Sequence, residues 1–236
     1  LAEALRRNGV LALSDEIYGE LEFQGQHTSI ARYYEEGTIV ASGLSKWCGA
    51  GGWRLGTMTF PAQLRWLLEA MAVVASETYS ATSAPIQYAA VRAFQGGSEI
   101  EIYLQRARRI LAAVCQTFQQ GLVAEGVTCR PATGGFYLFP SFDPLADRLA
   151  KRGLRTSSEV CTRILEEAGV ACLPGSDFGV PEDKLFLRVA LVNFDGARAL
   201  SALTDDVPVD ARFLGNHCAP TLRALEALVE WTKRTT

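Results

Sequence analysis

Ser42-Gly43-Leu44-Ser45-Lys46-Trp47-Cys48-Gly49-Ala50-Gly51-Gly52-Trp53-Arg54-Leu55-Gly56 is the stretch on which the reading of this chain turns. A lysine lies beside a small hydroxyl residue, a glycine-rich turn follows, and an arginine comes eight positions after the lysine. A lysine amine condenses with a carbonyl to a Schiff base, and an arginine fork holds a phosphate through two parallel hydrogen bonds. The segment thus offers one group to an aldehyde and one to a phosphate. Taken alone, it also fits a surface lysine before a loop and an arginine at the start of a strand. The rest of the chain decides between the two.

Working outward, apolar runs alternate with turn residues. Residues 10–13 follow Asn8-Gly9 and lead into Ser14-Asp15-Glu16, which predicts a buried, parallel-type strand with polar residues at its carboxyl end. Ligands of open α/β sheets bind beyond the carboxyl ends of strands, so Asp15 and Tyr18 stand where chemistry is common. Residues 37–42 and 53–60 read as two further strands, and Pro61 opens a helix to about 74. A polar loop at 78–84 precedes a helix over 85–95, closed by Gly96-Gly97. Ser98 and Glu101 have capping-box spacing, and Ile102, Ala107, Ile110, Leu111, Val114, Phe118 and Leu122 recur at helical intervals to about 124.

Beyond Gly126 the pattern changes. Strands are expected at 127–130, 136–139, 170–173 and 185–192, with helices over 157–168 and 220–233. The aspartates, proline and glycine of 204–216 read as an irregular loop. The fold class is therefore α/β, a mainly parallel sheet followed by a small α+β domain. The expected divisions are 1–97, a connecting helix over 98–126, and 127–236.

Composition narrows the function. The chain has 236 residues, 48% of them hydrophobic, enough for one large or two modest domains. A net charge of -3 with scattered basic residues argues against a nucleic-acid surface, and Arg106, Arg108 and Arg109 fit an ordinary amphipathic helix. No apolar run reaches membrane-spanning length and no signal-peptide pattern opens the chain. The six cysteines show no CxxC pair and no metal-ligand spacing, so buried or free thiols in a reducing, cytoplasmic setting are expected, and no metal. His27 and His217 are too few for a histidine metal site or a Ser-His triad, and both are expected to be solvated.

Four ordered segments carry a resemblance. They are Ser14-Asp15-Glu16-Ile17-Tyr18, the stretch around Lys46, Thr133-Gly134-Gly135-Phe136-Tyr137-Leu138, and Pro174-Gly175-Ser176-Asp177-Phe178-Gly179 leading to Leu187-Arg188-Val189. Together they resemble the class I/II aminotransferases, the fold-type-I pyridoxal-phosphate enzymes. The resemblance implies that Lys46 bonds the cofactor aldehyde, and that Asp15 pairs with the pyridinium nitrogen. Tyr18 would bond the phenolic oxygen, and Arg54 and a hydroxyl the phosphate. Ser45 is favoured for that hydroxyl, with Ser42 also available, because Gly43 stands where some relatives carry serine or threonine. Arg188 is implied as the clamp on the substrate α-carboxylate. A structural ion pair is the competing reading for Arg188, and a turn-capping aspartate the competing one for Asp15. The Thr133–Leu138 segment is assigned to packing.

Only fourteen residues precede Asp15 and the chain opens on Leu1, within a helical pattern. It is expected to be the C-terminal half of such an enzyme: the last part of the large domain and the small α+β C-terminal domain. The implied substrates are an amino acid and a 2-oxo acid, and the implied assembly is a homodimer with residues 78–83 near the partner. Two other readings stand beside transamination. One is a pyridoxal-phosphate lyase or cyclopropane-forming synthase on the same fold; the other is an inert fragment that only oligomerises.

Overall fold

A computed structural model of the chain describes residues 1–234. Two compact units are present, Leu1–Gln105 and the remainder from Arg106.

The first unit opens with α1 (Ala2–Arg7) and a three-stranded sheet of β1 (Ala12–Asp15), β2 (Thr38–Gly43) and β3 (Gly56–Thr59), in that order. β1 and β2 run parallel, with Asp15 beside Ala41. β2 and β3 run antiparallel, with Gly43 beside Gly56. The sheet is therefore mixed where a mainly parallel one was expected. The cause lies in the connection. Residues 44–55 contain no α-helix to carry the chain back across the sheet, and the Leu44 N–H bonds the Leu55 carbonyl at 3.2 Å, so the segment returns as a hairpin.

β1 also differs from the expected buried strand. Its residues alternate between half-buried and exposed, and Leu13 is 65% exposed. One sheet face, carrying Leu13 and Asp15, is open to solvent. The core of this unit gathers Leu21, Ile39, Leu44, Trp47, Leu55 and Leu104. α2 (Arg65–Thr78) buries no residue although it carries Trp66, Leu68, Met71, Val73 and Val74; α3 (Ala84–Phe94) buries only Ala90.

α4 (Ser98–Ala124) contains the boundary between the units. Ser98 is its first helical residue, and the Glu101 N–H bonds the Gly97 carbonyl, so glycine rather than serine stands ahead of the helix. The capping box forms elsewhere, between Thr156 and Glu159 at the start of α6.

The second unit holds an antiparallel sheet of β4 (Tyr137–Leu138), β5 (Leu173–Pro174) and β6 (Leu187–Ala190), with β6 in the centre. Around it are α5 (Ala146–Lys151), α6 (Ser157–Ala168), α7 (Gly196–Ala202), α8 (Ala211–His217) and α9 (Ala219–Lys233). Phe118, Leu122, Phe142, Ile164, Leu187 and Leu228 are essentially inaccessible and form its core. Alternation along β6 places Leu187 and Val189 inside and Arg188 on the opposite face.

The segment expected to be an irregular loop over 204–216 is corrected by α8. Asp210 caps it, its Oδ1 accepting the Phe213 N–H at 2.9 Å, so an acid that read as loop chemistry is a helix start. Arg109 donates to the carbonyls of Thr204 and Val207, and Arg108 is buried, so neither is part of an open basic surface. Among the described residues no helix is long and apolar enough to cross a membrane.

Candidate active site

The hairpin joining β2 to β3 builds the centre of the site. The Leu44–Leu55 hydrogen bond closes its neck, and Ser45 and Arg54 are the first residues inside it, one at each end. Within the loop, the Gly49 N–H bonds the Lys46 carbonyl, the Ala50 N–H the Leu44 carbonyl, and the Trp53 N–H the Ala50 carbonyl. Trp47 anchors it from below, 4% exposed and edge-on to Phe94 at 5.7 Å. A loop with this many internal bonds and one buried indole holds its lysine on a firm base.

Lys46 is half-buried, and its Nζ lies 5.8 Å from the centroid of the Tyr18 ring. Tyr18 stands three residues beyond Asp15, at the start of a 3-10 turn over Gly19–Leu21 that buries Leu21. The structure thus brings Lys46 and Tyr18 together. Asp15 ends β1 on the open sheet face, exposed, with Oδ1 accepting the Ile17 N–H at 3.2 Å. That bond leaves its other oxygen for a ligand.

Arg54 is exposed and has a left-handed backbone, φ 55° and ψ 42°. One guanidinium nitrogen donates to the Gly51 carbonyl at 2.7 Å, which folds the side chain over its own loop. Thr82 donates from Oγ1 to the Arg54 carbonyl at 3.3 Å, so the polar segment after α2 reaches this loop as well. Lysine, guanidinium and hydroxyl donors suit a phosphate ester, and an amine beside them suits its aldehyde. The donor set fits pyridoxal phosphate, with Asp15 as an available carboxylate.

Glu16, next to Asp15, is turned to a structural task. Burial pushes its carboxyl up, but hydrogen bonds from Ser29, His27 and Ser14 outweigh this and hold it below the usual range. The Ser29 bond is 2.6 Å and the His27 Nε2 contact 2.9 Å. His27 is exposed, as expected, and its ring is also engaged by Glu16. His217 likewise packs in α8, its ring 4.7 Å from that of Phe213. A cavity of about 420 Å³, with Val40, Ser42, Trp47 and Glu16 in its wall, lies on the sheet face away from Asp15.

Arg188 belongs to the second unit. Its guanidinium carbon lies 4.6 Å from the Tyr137 ring centroid and 4.5 Å from that of Phe178. Among the described residues no carboxylate comes within ion-pair distance, so the structural ion pair considered from sequence is not formed there. Aromatic faces hold the plane of a guanidinium while leaving its edge donors free for a carboxylate. The sequence reading assigns Tyr137 to packing and gives Phe178 no role of its own. The available signal was an aromatic in each of two motifs flanking one arginine.

The fold is one found among aminotransferases. The structure of an aromatic aminotransferase from Pyrococcus horikoshii OT3 superposes with a TM-score of 0.75 over 99% of this chain and 54% of its own, at 24% identity. A family model for aminotransferases of class I and II matches residues 1–199. The aspartate aminotransferase of Geobacillus stearothermophilus is 35% identical over 219 residues, 91% of this chain and 51% of the relative. That of Bacillus subtilis (strain 168) is 32% identical over 222 residues, 92% of this chain and 52% of the relative. The chain belongs to the class I and II aminotransferase family. It spans about half the length of these curated relatives.

Proposed function

We propose that this chain is the lysine-bearing half of a pyridoxal-phosphate-dependent aminotransferase that moves an amino group from an amino acid to a 2-oxo acid. The observation that carries the reading is Lys46 over Tyr18, on a loop whose neck presents Ser45 and Arg54. In this reading residues 1–97 are part of the cofactor-binding domain, 98–126 the connecting helix and 127–236 the small domain. The working enzyme is a homodimer.

Bound pyridoxal phosphate supplies an electron sink for the charge left when a substrate amino acid loses its Cα proton. Ser45 and Arg54 hold the phosphate, with the guanidinium donors not used by Gly51. Asp15 favours the protonated ring nitrogen by its negative charge. Tyr18 bonds the phenolic oxygen and flanks Lys46. Lys46 Nζ would hold the cofactor at its aldehyde carbon, and its amine would be the base for the substrate Cα proton. Arg188 receives the α-carboxylate on its open edge while Tyr137 and Phe178 fix its plane.

Borohydride reduction of the full-length protein with pyridoxal phosphate, followed by peptide mapping, tests this. The label is expected on Lys46. Labelling of Lys151, Lys184 or Lys233 with Lys46 unmodified would overturn the assignment.

A further inference from the structure

We propose that Cys161 and Cys172 form a dithiol site that closes to an intramolecular disulfide by exchange with a small-molecule disulfide, pinning β5 to α6. Cys161 lies on α6 and Cys172 immediately precedes β5, with Sγ atoms 3.5 Å apart. A disulfide bond is about 2.05 Å long, so the sulfurs have about 1.5 Å to close. One helical turn earlier on α6, Ser157 Oγ lies 3.5 Å from Ser176 Oγ. The same helix face therefore touches the chain on both sides of Leu173–Pro174, and small sulfur movements suffice for closure.

Access and acidity divide the two roles. Cys172 is half-buried and reachable; Cys161 is buried, 8% exposed, and meets a reagent only through its partner. Their shared hydrogen bond pushes the Cys161 thiol up and holds the Cys172 thiol down. Burial does the opposite at the other cysteines, raising Cys48 and Cys129 and pushing Cys115 to about 12 and Cys218 to about 11. Cys172, the more accessible of the pair, is thus the thiol set apart as nucleophile.

The steps balance without another reactant. The Cys172 thiolate attacks one sulfur of the small disulfide, the S–S bond breaks, and one small thiolate leaves, taking a proton from solvent. Cys161 then gives up its proton and attacks Cys172 Sγ, expelling the second small thiol. Two protein thiols are oxidised by two electrons, and one small disulfide is reduced to two thiols. The closed bond sits one residue from Leu173, which pairs with Arg188, and on the segment that carries Phe178 to the Arg188 guanidinium. Any effect on substrate rests on the carboxylate reading of Arg188 given above; the disulfide itself does not.

Oxidised glutathione is the probe. Thiols counted in denaturant are expected to fall from the six of the sequence to four, with mass spectrometry joining the peptides of Cys161 and Cys172. Six remaining thiols, a lasting glutathione adduct, or a bond between other cysteines would overturn the proposal. The C161A variant is expected to stop at a mixed disulfide on Cys172, and an unmodified Cys172 there would remove it as the attacking thiol. Amide exchange over 172–178 is expected to slow several-fold in the oxidised chain, and unchanged exchange would refute the pinning of β5. None of these readouts depends on what Arg188 binds, so the two readings fail separately.

Discussion

Gly43→Ala bears most directly on the loop that carries Lys46. Gly43 ends β2 opposite Gly56, and a Cβ there would lie 2.6 Å from the Leu55 carbonyl oxygen and 3.1 Å from Gly56 Cα. Both are backbone atoms of the paired segment, so relief requires the two sides of the hairpin to part. The Leu55 carbonyl is also the acceptor that closes the neck, for the Leu44 N–H at 3.2 Å. Overpacking costs about 1–3 kcal/mol and a lost hydrogen bond about 0.5–1.5 kcal/mol, so the variant should lose about 2–4 kcal/mol. Gly52→Ala is the control, since a Cβ there meets nothing within 4 Å and the backbone is not left-handed. It should be neutral or stabilising by about 0.4–1 kcal/mol. Urea unfolding followed by tryptophan emission reads both, because Trp47 is buried in this loop. At a slope of about 2 kcal/mol/M, the Gly43→Ala midpoint should fall by about 1–2 M. A midpoint at or above that of Gly52→Ala would refute the hairpin geometry.

Arg188→Lys in the full-length protein should raise KM for the amino donor about ten- to a hundredfold, since charge-assisted hydrogen bonds contribute about 1.5–3 kcal/mol; an unchanged KM in steady-state kinetics would remove Arg188 from the substrate. The Arg152 guanidinium, and then the Trp231 indole, hold the Glu167 carboxyl below its ordinary 4.5, so its stabilisation is present above that pH and fades as pH falls through the depressed value. Glu167→Gln should lower the melting temperature at neutral pH and flatten the acid-side loss of stability below about pH 5; parallel pH profiles for variant and parent would contradict this. Thr156→Ala breaks the capping box of α6 and should cost about 1 kcal/mol, a drop of about 2–4 °C in melting temperature by calorimetry.

Local signals in the sequence were reliable at some helix ends and not at others, since the spacing of Ser98 and Glu101 builds no capping box. α6 runs over Ser157–Ala168 as expected, because Thr156 caps one end and Gly169 turns left-handed at the other. The lysine loop, the strand ahead of it and the strand bearing Arg188 were likewise legible from short apolar runs and turn residues. Strand direction was not. Nothing in the composition of 56–59 states which way it runs, and the hairpin hydrogen bonds decide it. Acids mislead in the same way: Asp210 looks identical as a loop residue and as the cap of α8, and only its bond to the Phe213 N–H separates them. The aromatic clamp of Arg188 joins Tyr137 and Phe178 from separate segments, a tertiary pairing with no local signature.

Among the described residues, Arg54 is the only one other than glycine with a positive φ. An L-residue held there loses roughly 1–2 kcal/mol relative to its preferred backbone, which glycine avoids and asparagine reduces. A library of all twenty amino acids at position 54, sorted for folding alone, should enrich glycine and asparagine. The same library sorted for retention of a phosphorylated ligand should keep arginine. Two selections that pull apart at a single codon mark a residue retained for what its side chain grips, against the preference of the turn it occupies.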